Sequence, residues 1–205
     1  MPKAFLGLAA LLAATVPALV AAAEPVANPR GFYLGAGVGA SRAEDWCGPY
    51  FDTTILTCDN NTVGYKLYGG YRFNDFLGLE AAYVDLGTLR LDALYRGAPV
   101  SNRFDLRGAT LQGVVHLPIG RAFSLFGKAG AIYWDLTNEA SGAGVAGTTK
   151  DNGFDVALGV GGQYFLTRHF ALRAEYEYFP NLGTLDAIAG DVDQHLFTVG
   201  GLFKF

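Results

Sequence analysis

The sequence predicts an all-β protein, an eight-stranded antiparallel transmembrane β-barrel of up-and-down order, with four longer outer loops and short periplasmic turns. Three observations predict it. Segments of about ten or more residues alternate apolar and small or polar side chains with the period of a strand. The connections between them run long, short, long, short, long, short, long, as in bacterial outer-membrane barrels. Hydrophobic residues reach 51% and charged residues only 17%, with 28 Gly, 15 Phe and 11 Tyr in 205 residues. Yet beyond the N-terminus no apolar run approaches the roughly 20 residues of a membrane helix.

Residues 1–23 read as a secretory signal peptide. Lys3 supplies a basic start, Ala4 to Val20 an apolar core, and Ala21-Ala22-Ala23 a small-residue cleavage site before Glu24. The competing reading, an uncleaved anchor, fits the small-residue end and the polar stretch after it less well. Residues 24–30, with Pro25 and Pro29, read as an irregular linker. Residues 31–205 form the barrel domain.

The first strand, about Gly31 to Ser41, sets Phe32, Leu34, Ala36, Val38 and Ala40 against Tyr33, Gly35, Gly37 and Gly39. A long loop through Cys47 and Cys58 leads to the second strand, about Thr62 to Phe73. Tyr65, Leu67, Tyr71 and Phe73 lie on one face there, and Lys66, Tyr68 and Arg72 on the other. Asn74-Asp75 supplies a tight turn. The third strand, about Phe76 to Leu86, opposes Leu79, Ala81 and Tyr83 to Glu80 and Ala82. Gly87 to Arg103 reads as a loop, followed by the fourth strand, about Phe104 to Leu117. Past the turn Pro118-Ile119-Gly120-Arg121, the fifth strand, about Ala122 to Leu136, sets Lys128 among small residues.

Thr137 to Asn152, rich in Gly, Ala and Thr, reads as the third loop. The sixth strand, about Gly153 to Leu166, separates Phe154, Val156, Leu158, Val160 and Tyr164 from Asp155, Ala157 and Gln163. After Thr167-Arg168-His169 comes the clearest alternation, about Phe170 to Phe179, with Leu172, Ala174, Tyr176 and Tyr178 opposite Arg173, Glu175 and Glu177. A last loop, Pro180 to Gly190, precedes the strand that ends at Phe205. The broad aromatic face and the narrow Gly-rich face with its charges invert a soluble eight-stranded barrel, whose apolar residues point inward. Lipid contact and interfacial girdle account for Tyr65, Tyr83, Tyr164, Phe203 and Phe205.

The inward parity collects Lys66, Arg72, Glu80, Lys128, Asp155, Arg173, Glu175 and Glu177. Unpaired buried charge is costly, so these residues are expected to pair across the lumen as an ionic plug. In an exported protein Cys47 and Cys58 read as a disulfide in place of free thiols, because the periplasm oxidises. No metal or cofactor is expected: His116, His169 and His195 lack ligand spacing, and two thiols without a His cluster make a poor metal site. Asp191-Val-Asp193-Gln-His195 reads as a surface ionic contact with lipopolysaccharide and divalent cations. No serine has an evident base, so no enzymatic activity is expected. The net charge of −4 speaks against a nucleic-acid partner.

Tyr65-Lys66-Leu67-Tyr68-Gly69-Gly70-Tyr71-Arg72-Phe73, Leu77-Gly78-Leu79-Glu80-Ala81-Ala82-Tyr83, Leu172-Arg173-Ala174-Glu175-Tyr176 and the Phe205 ending resemble the OmpA-like transmembrane β-barrel family, in its barrel-only form. The resemblance covers essentially the whole mature chain. It implies an outer-membrane location, contact with lipid and lipopolysaccharide, and a Phe203/Phe205 terminal strand read by the barrel-assembly machinery as a folding signal. It also implies that Glu80, Lys128 and Arg173 stand where related barrels carry gate-like residues. The expected role is structural and surface-interacting, serving envelope integrity. Loop-mediated recognition would use the cysteine loop and a basic stretch carrying Arg90, Arg96 and Arg103. A small gated pore for ions or small solutes is the alternative.

Overall fold

Eight antiparallel strands close into a barrel in the computed structural model, which describes residues 30–44, 53–142, 145–185 and 190–205. The barrel strands are β1 (Gly31–Ala43), β3 (Asn61–Arg72), β4 (Leu77–Tyr95), β5 (Ala98–Ile119), β6 (Phe123–Gly142), β7 (Val145–Phe165), β8 (Phe170–Leu185) and β9 (Gly190–Lys204), and a ninth strand, β2 (Thr53–Asp59), lies outside the closed ring, paired with β4. Each barrel strand pairs with its neighbours in chain order, β4 with β5 and β1 with β9 among them. The signal peptide and nearly all of the linker expected from the sequence lie outside the described residues.

The closing seam shows why small residues are needed. A Cβ on Gly200 of β9 would lie 1.9 Å from the Ala36 carbonyl oxygen of β1, so only glycine permits that approach. The last residue completes the seam, with Phe205 N donating to Phe32 O at 3.0 Å.

Short turns join one end of the barrel. At the first of them, Asn74 Oδ1 accepts from the backbone N–H groups of Phe76 and Leu77, both at 2.8 Å. At the last, Thr167 Oγ1 accepts from Phe170 N at 3.0 Å. Such turns mark the periplasmic end of bacterial barrels.

The outer end departs from expectation. Gly87 to Arg103 is not an open loop: β4 and β5 continue through it, paired to Tyr95↔Ala98. They turn at Arg96 (φ 50°) and Gly97 (φ 83°). Positive φ at both central residues is the mirror-image hairpin turn whose twist suits the flanking strands. Thr137 to Asn152 likewise forms the paired arms of β6 and β7 up to Gly142↔Val145. β2 was not expected at all; it extends the sheet by pairing with the outer part of β4, from Asp59↔Arg90 to Thr53↔Tyr95. A membrane strand needs about 9–11 residues. β5 has 22, so its outer part rises above the lipid. β1, β8 and β9 are shorter, and the outer wall is tall on one side only.

Side-chain alternation follows the strand period, but in β4 the register shifts between Asp85 and Thr88 and the inward parity changes from Leu86 to Leu89. Phe32, Leu67, Leu111, Val160, Phe197 and Phe203 face outward and are exposed. That much apolar surface is compatible with lipid and not with water. The interior is layered. Tyr33, Tyr68, Ala82, Phe165, Ala171 and Leu202 fill the periplasmic end. The outer throat is filled by Val84, Leu86, Leu89, Phe104, Leu106, Ile132, Trp134, Leu136, Phe179, Leu182 and Leu196. Between them sits a layer of charge.

Candidate functional site: an ionic layer across the lumen

Six side chains from four strands meet in that layer. Lys66 comes from β3, Glu80 from β4, Lys128 from β6, and Arg173, Glu175 and Glu177 from β8; all are buried. On β8 the residues are two apart, so period-two alternation aims all three inward. Lys128 Nζ lies 3.1 Å from Glu80 Oε1, 2.8 Å from Glu175 Oε1 and 2.8 Å from Glu177 Oε1. Lys66 Nζ is 2.7 Å from Glu177 Oε2, 3.6 Å from Glu80 Oε1, and in contact with Glu175 Oε1. Arg173 donates from Nη1 to Glu80 Oε2 at 2.7 Å and from Nη2 to Glu80 Oε1 at 3.2 Å, and Nη2 also lies 2.5 Å from Glu175 Oε2.

Three cations therefore face three carboxylates, and the layer is neutral. Tyr33 OH donates to Glu80 Oε2 at 3.0 Å, tying the layer to the aromatic floor. The Arg173 guanidinium lies 4.1 Å from the Phe126 ring centre and 4.5 Å from that of Tyr68, so rings cover the faces its hydrogen bonds leave bare. Charges buried this deeply persist because each has partners of opposite sign; removing one partner from such a set typically costs about 3–5 kcal/mol.

Two of the eight residues expected on the lumen do not join the layer. Arg72 is buried at the periplasmic turn, where it donates from Nε to Asn74 O at 3.1 Å and from Nη2 to Asp75 O at 2.5 Å. Its height on β3, below Lys66, keeps it from the carboxylates. Asp155 has inward parity but stands at throat level, half-buried, where its Oδ2 accepts from Trp134 Nε1 at 2.7 Å. Parity assigns a face; height on a tilted strand decides which charges meet.

The interior also holds polar groups that parity alone did not single out. Thr110, Gln112 and His116 descend the inner face of β5, and Gln163 faces in from β7, all buried. Among the described residues both His116 ring nitrogens and both Gln112 side-chain polar atoms lack hydrogen-bond partners. Alternation along β5, continued inward from Phe104, was the signal that could have placed them.

The remaining candidates lie elsewhere. Cys58 sits half-buried in β2 against the throat cluster, while Cys47 lies outside the described residues. Phe203 and Phe205 face outward with ring centres 5.3 Å apart, edge to face. His169 stacks on Phe203 at 6.0 Å. At the outer rim His195 Nδ1 lies 2.6 Å from Tyr176 OH, its Nε2 lies 3.5 Å from Glu44 Oε2, and Tyr178 OH donates to Asp193 Oδ2 at 2.6 Å. Asp191 has no described side chain. A lipid-facing trough of about 720 Å³, floored by Gly113, Gly127 and Ala129, leads up to this rim. Arg90 and Arg103 are directly opposed on β4 and β5, beside a cleft of about 340 Å³ that Asp92 and Glu139 share. Arg96 stands at the hairpin turn. Among the described residues no group of three His, Cys, Asp or Glu is arranged to hold a metal.

Known proteins share this architecture. Outer membrane protein A of Salmonella typhi is 28% identical over 210 residues, covering 100% of this chain and 56% of that protein. The chain thus spans about half the length of the curated relatives it matches. Among solved structures, Neisserial surface protein A superposes with a TM-score of 0.62 at 19% identity, over 85% of this chain and 97% of the other. Ail, the attachment invasion locus protein of Yersinia pestis, gives 0.55 at 20% identity, over 85% and 99%. The profile of the OmpA-like transmembrane domain matches residues 27–205. With the closed eight-stranded wall and the outward aromatic surface already in place, the chain belongs to the OmpA-like transmembrane domain family.

Proposed function

We propose that this barrel acts as a plugged outer-membrane scaffold, supporting envelope integrity and presenting its tall outer wall for surface interaction, with no enzymatic step of its own. The observation that carries the reading is the apolar throat above the ionic layer. Ile132, Leu136 and Phe179 pack together there, the indole N–H beside them, Trp134 Nε1, is already donated to Asp155, and an ion entering that region would lose most of its hydration with little to replace it. A planar-bilayer recording of the refolded chain tests it. The expected result is membrane insertion without discrete current steps; reproducible steps in the unaltered protein would overturn the scaffold reading.

The surface part of the proposal rests on the β2–β4–β5–β6–β7 wall, where Arg90 and Arg103 share a cleft with Ser101, Asn102 and Glu139. Replacing both arginines by alanine is expected to weaken adhesion of expressing cells to lipopolysaccharide or to a host surface; unchanged adhesion would remove that face from consideration. A Cys47–Cys58 disulfide belongs to the same proposal, as a brace for the loop leading into β2. So do export by a cleaved signal peptide and recognition of the Phe203/Phe205 strand by the barrel-assembly machinery.

A gated pore is the second reading, and one observation favours it. Lys128 touches all three carboxylates of the layer, so a change of partners can proceed in steps without ever leaving it uncompensated. Conductance appearing only after the throat is truncated would assign the gate to the apolar plug rather than to the ions.

A further inference from the structure

Between β7 and β8 the barrel wall parts before either strand ends. Their ladder begins at Phe165↔Ala171 and stops at Leu158↔Tyr178. Yet β7 continues outward to Val145 and β8 to Leu185. The sequence supplies the cause. Pro180 has no N–H to donate toward β7, and Asn181 adopts φ 57°, which turns the strand. Beyond that point β8 follows β9 alone, with irregular register at Leu182 and Leu185. Among the described residues, Val145–Ala157 pair with β6 and with no strand on the other side. A slot therefore opens above Leu158 and Tyr178.

The lower part of the slot lies at lipid level. The outward residues of β7 beside it are Val156 and Phe154, and Phe154 is 76% exposed, packed against Tyr133 with ring centres 4.8 Å apart. The polar rows begin one step higher, at Asp135↔Asn152. On the inner side the slot is backed by the apolar throat. Ala157 and Phe179, one on each lip, are fully buried, and Trp134, Leu136 and Leu182 belong to the same cluster. The wall is thus interrupted where an apolar interior meets the outer leaflet. Beneath, the ionic layer closes the axial path, because an apolar solute there would have to separate paired charges from their partners.

We propose that the slot between β7 and β8 is a lateral exit, through which small uncharged apolar molecules pass from the outer throat of the barrel into the outer leaflet. Phe179 is the side chain that must swing aside. A polar solute meets mostly hydrocarbon in the throat, where the Trp134 N–H is already taken by Asp155, and is rejected there. The route requires no current through the lumen and is independent of whether the barrel conducts.

The test uses the full mature chain in vesicles whose outer leaflet is lipopolysaccharide, with uptake of the apolar dye N-phenylnaphthylamine as the signal and entry of calcein as the polar control. Uptake is expected to exceed that of protein-free vesicles, with calcein excluded. The double substitution Pro180→Val with Asn181→Val restores an N–H and an extended backbone, zips the seam, and is expected to return uptake to the protein-free rate. Phe179→Ala is expected to speed it. Should the zipped variant fail to fold, judged by the heat-dependent gel shift of closed barrels, Phe179→Ala alone decides. Uptake that ignores Phe179→Ala, uptake unchanged in a folded zipped variant, or equal passage of calcein would each overturn the proposal.

Discussion

Arg173 holds Glu80 by two parallel hydrogen bonds across the lumen, Nη1 to Oε2 at 2.7 Å and Nη2 to Oε1 at 3.2 Å. The two residues are 93 positions apart in sequence, on β8 and β4. Strands that never pair along the wall are thereby tied through the interior.

Glu80→Ala removes an acceptor from Arg173, Lys128 and Tyr33 at once. The expected loss is about 3–5 kcal/mol in urea unfolding of the lipid-embedded barrel. Adding Arg173→Ala should cost less than the sum of the single changes, because it removes the charge left without its partner. Additive losses would mean that the pair is not coupled.

Arg173→Lys keeps the charge but loses the paired donors and the planar group lying over Phe126 and Tyr68. A loss on the order of 2 kcal/mol is expected from the desolvated cation–π contact alone. An unfolding midpoint within error of the parent would show that point charge is all the layer requires.

Trp134→Ala with Leu136→Ala opens the throat while leaving every ion pair intact. In planar bilayers this variant is expected to remain closed or nearly so, as is Glu80→Ala alone. The triple variant is expected to conduct, since both barriers are then breached. Full conductance from Glu80→Ala by itself would place the barrier in the ionic layer.

Gly200→Val puts a side chain where the Ala36 carbonyl lies 1.9 Å from the Cβ position. Closure of β1 on β9 should be disturbed, at a cost of at least about 1–3 kcal/mol as for other overpacked sites. The gel-shift assay for closed barrels reads it directly, and a normally shifting variant would contradict the tight seam.

Arg90 and Arg103 face each other across β4 and β5. Like charges directly opposite one another on a sheet are unfavourable, but Arg90 also faces Asp59 on β2, so Arg90→Glu exchanges one repulsion for another and is expected to leave the outer hairpin within about 0.5 kcal/mol of the parent. Unchanged hydrogen exchange at Leu89 and Leu91 would report it; markedly slower exchange would show that the contact between the two arginines dominates.

Most of the wall was legible because lipid contact demands strict alternation. Leu172-Arg173-Ala174-Glu175-Tyr176-Glu177 shows both its faces at a glance, and so does the run from Phe197 to Phe205. The grouping of charges was less legible. Arg72 and Asp155 have the right parity and the wrong height, and height depends on the stagger between tilted strands, which no single segment carries. The outer arms were hidden for another reason. The turn at Arg96-Gly97 lacks the Asn-Gly or Asp-Gly pair that usually announces a mirror-image hairpin. The arms rising from the membrane, such as Thr137 to Asn152, are polar on their outer face and rich in small residues, which reads as loop. Phe104 and Leu106 carry the apolar throat by plain alternation, whereas Leu86 and Leu89, three apart, both face inward only because the register shifts between Asp85 and Thr88, which period-two reading does not show.

The distribution of charge along the chain also bears on the order of assembly. Before β8 arrives, the interior holds Lys66, Lys128 and Glu80, an excess of one positive charge with too few acceptors. β8 then delivers Arg173, Glu175 and Glu177 together, and only β9 remains to be laid against β1. A half-built wall must therefore stay wet inside until its penultimate strand docks, and a strand docked one residue out of step would turn all three of its charges toward lipid. Neutralisation coincides with closure, which makes the sealed state the first one in which this interior can be dry.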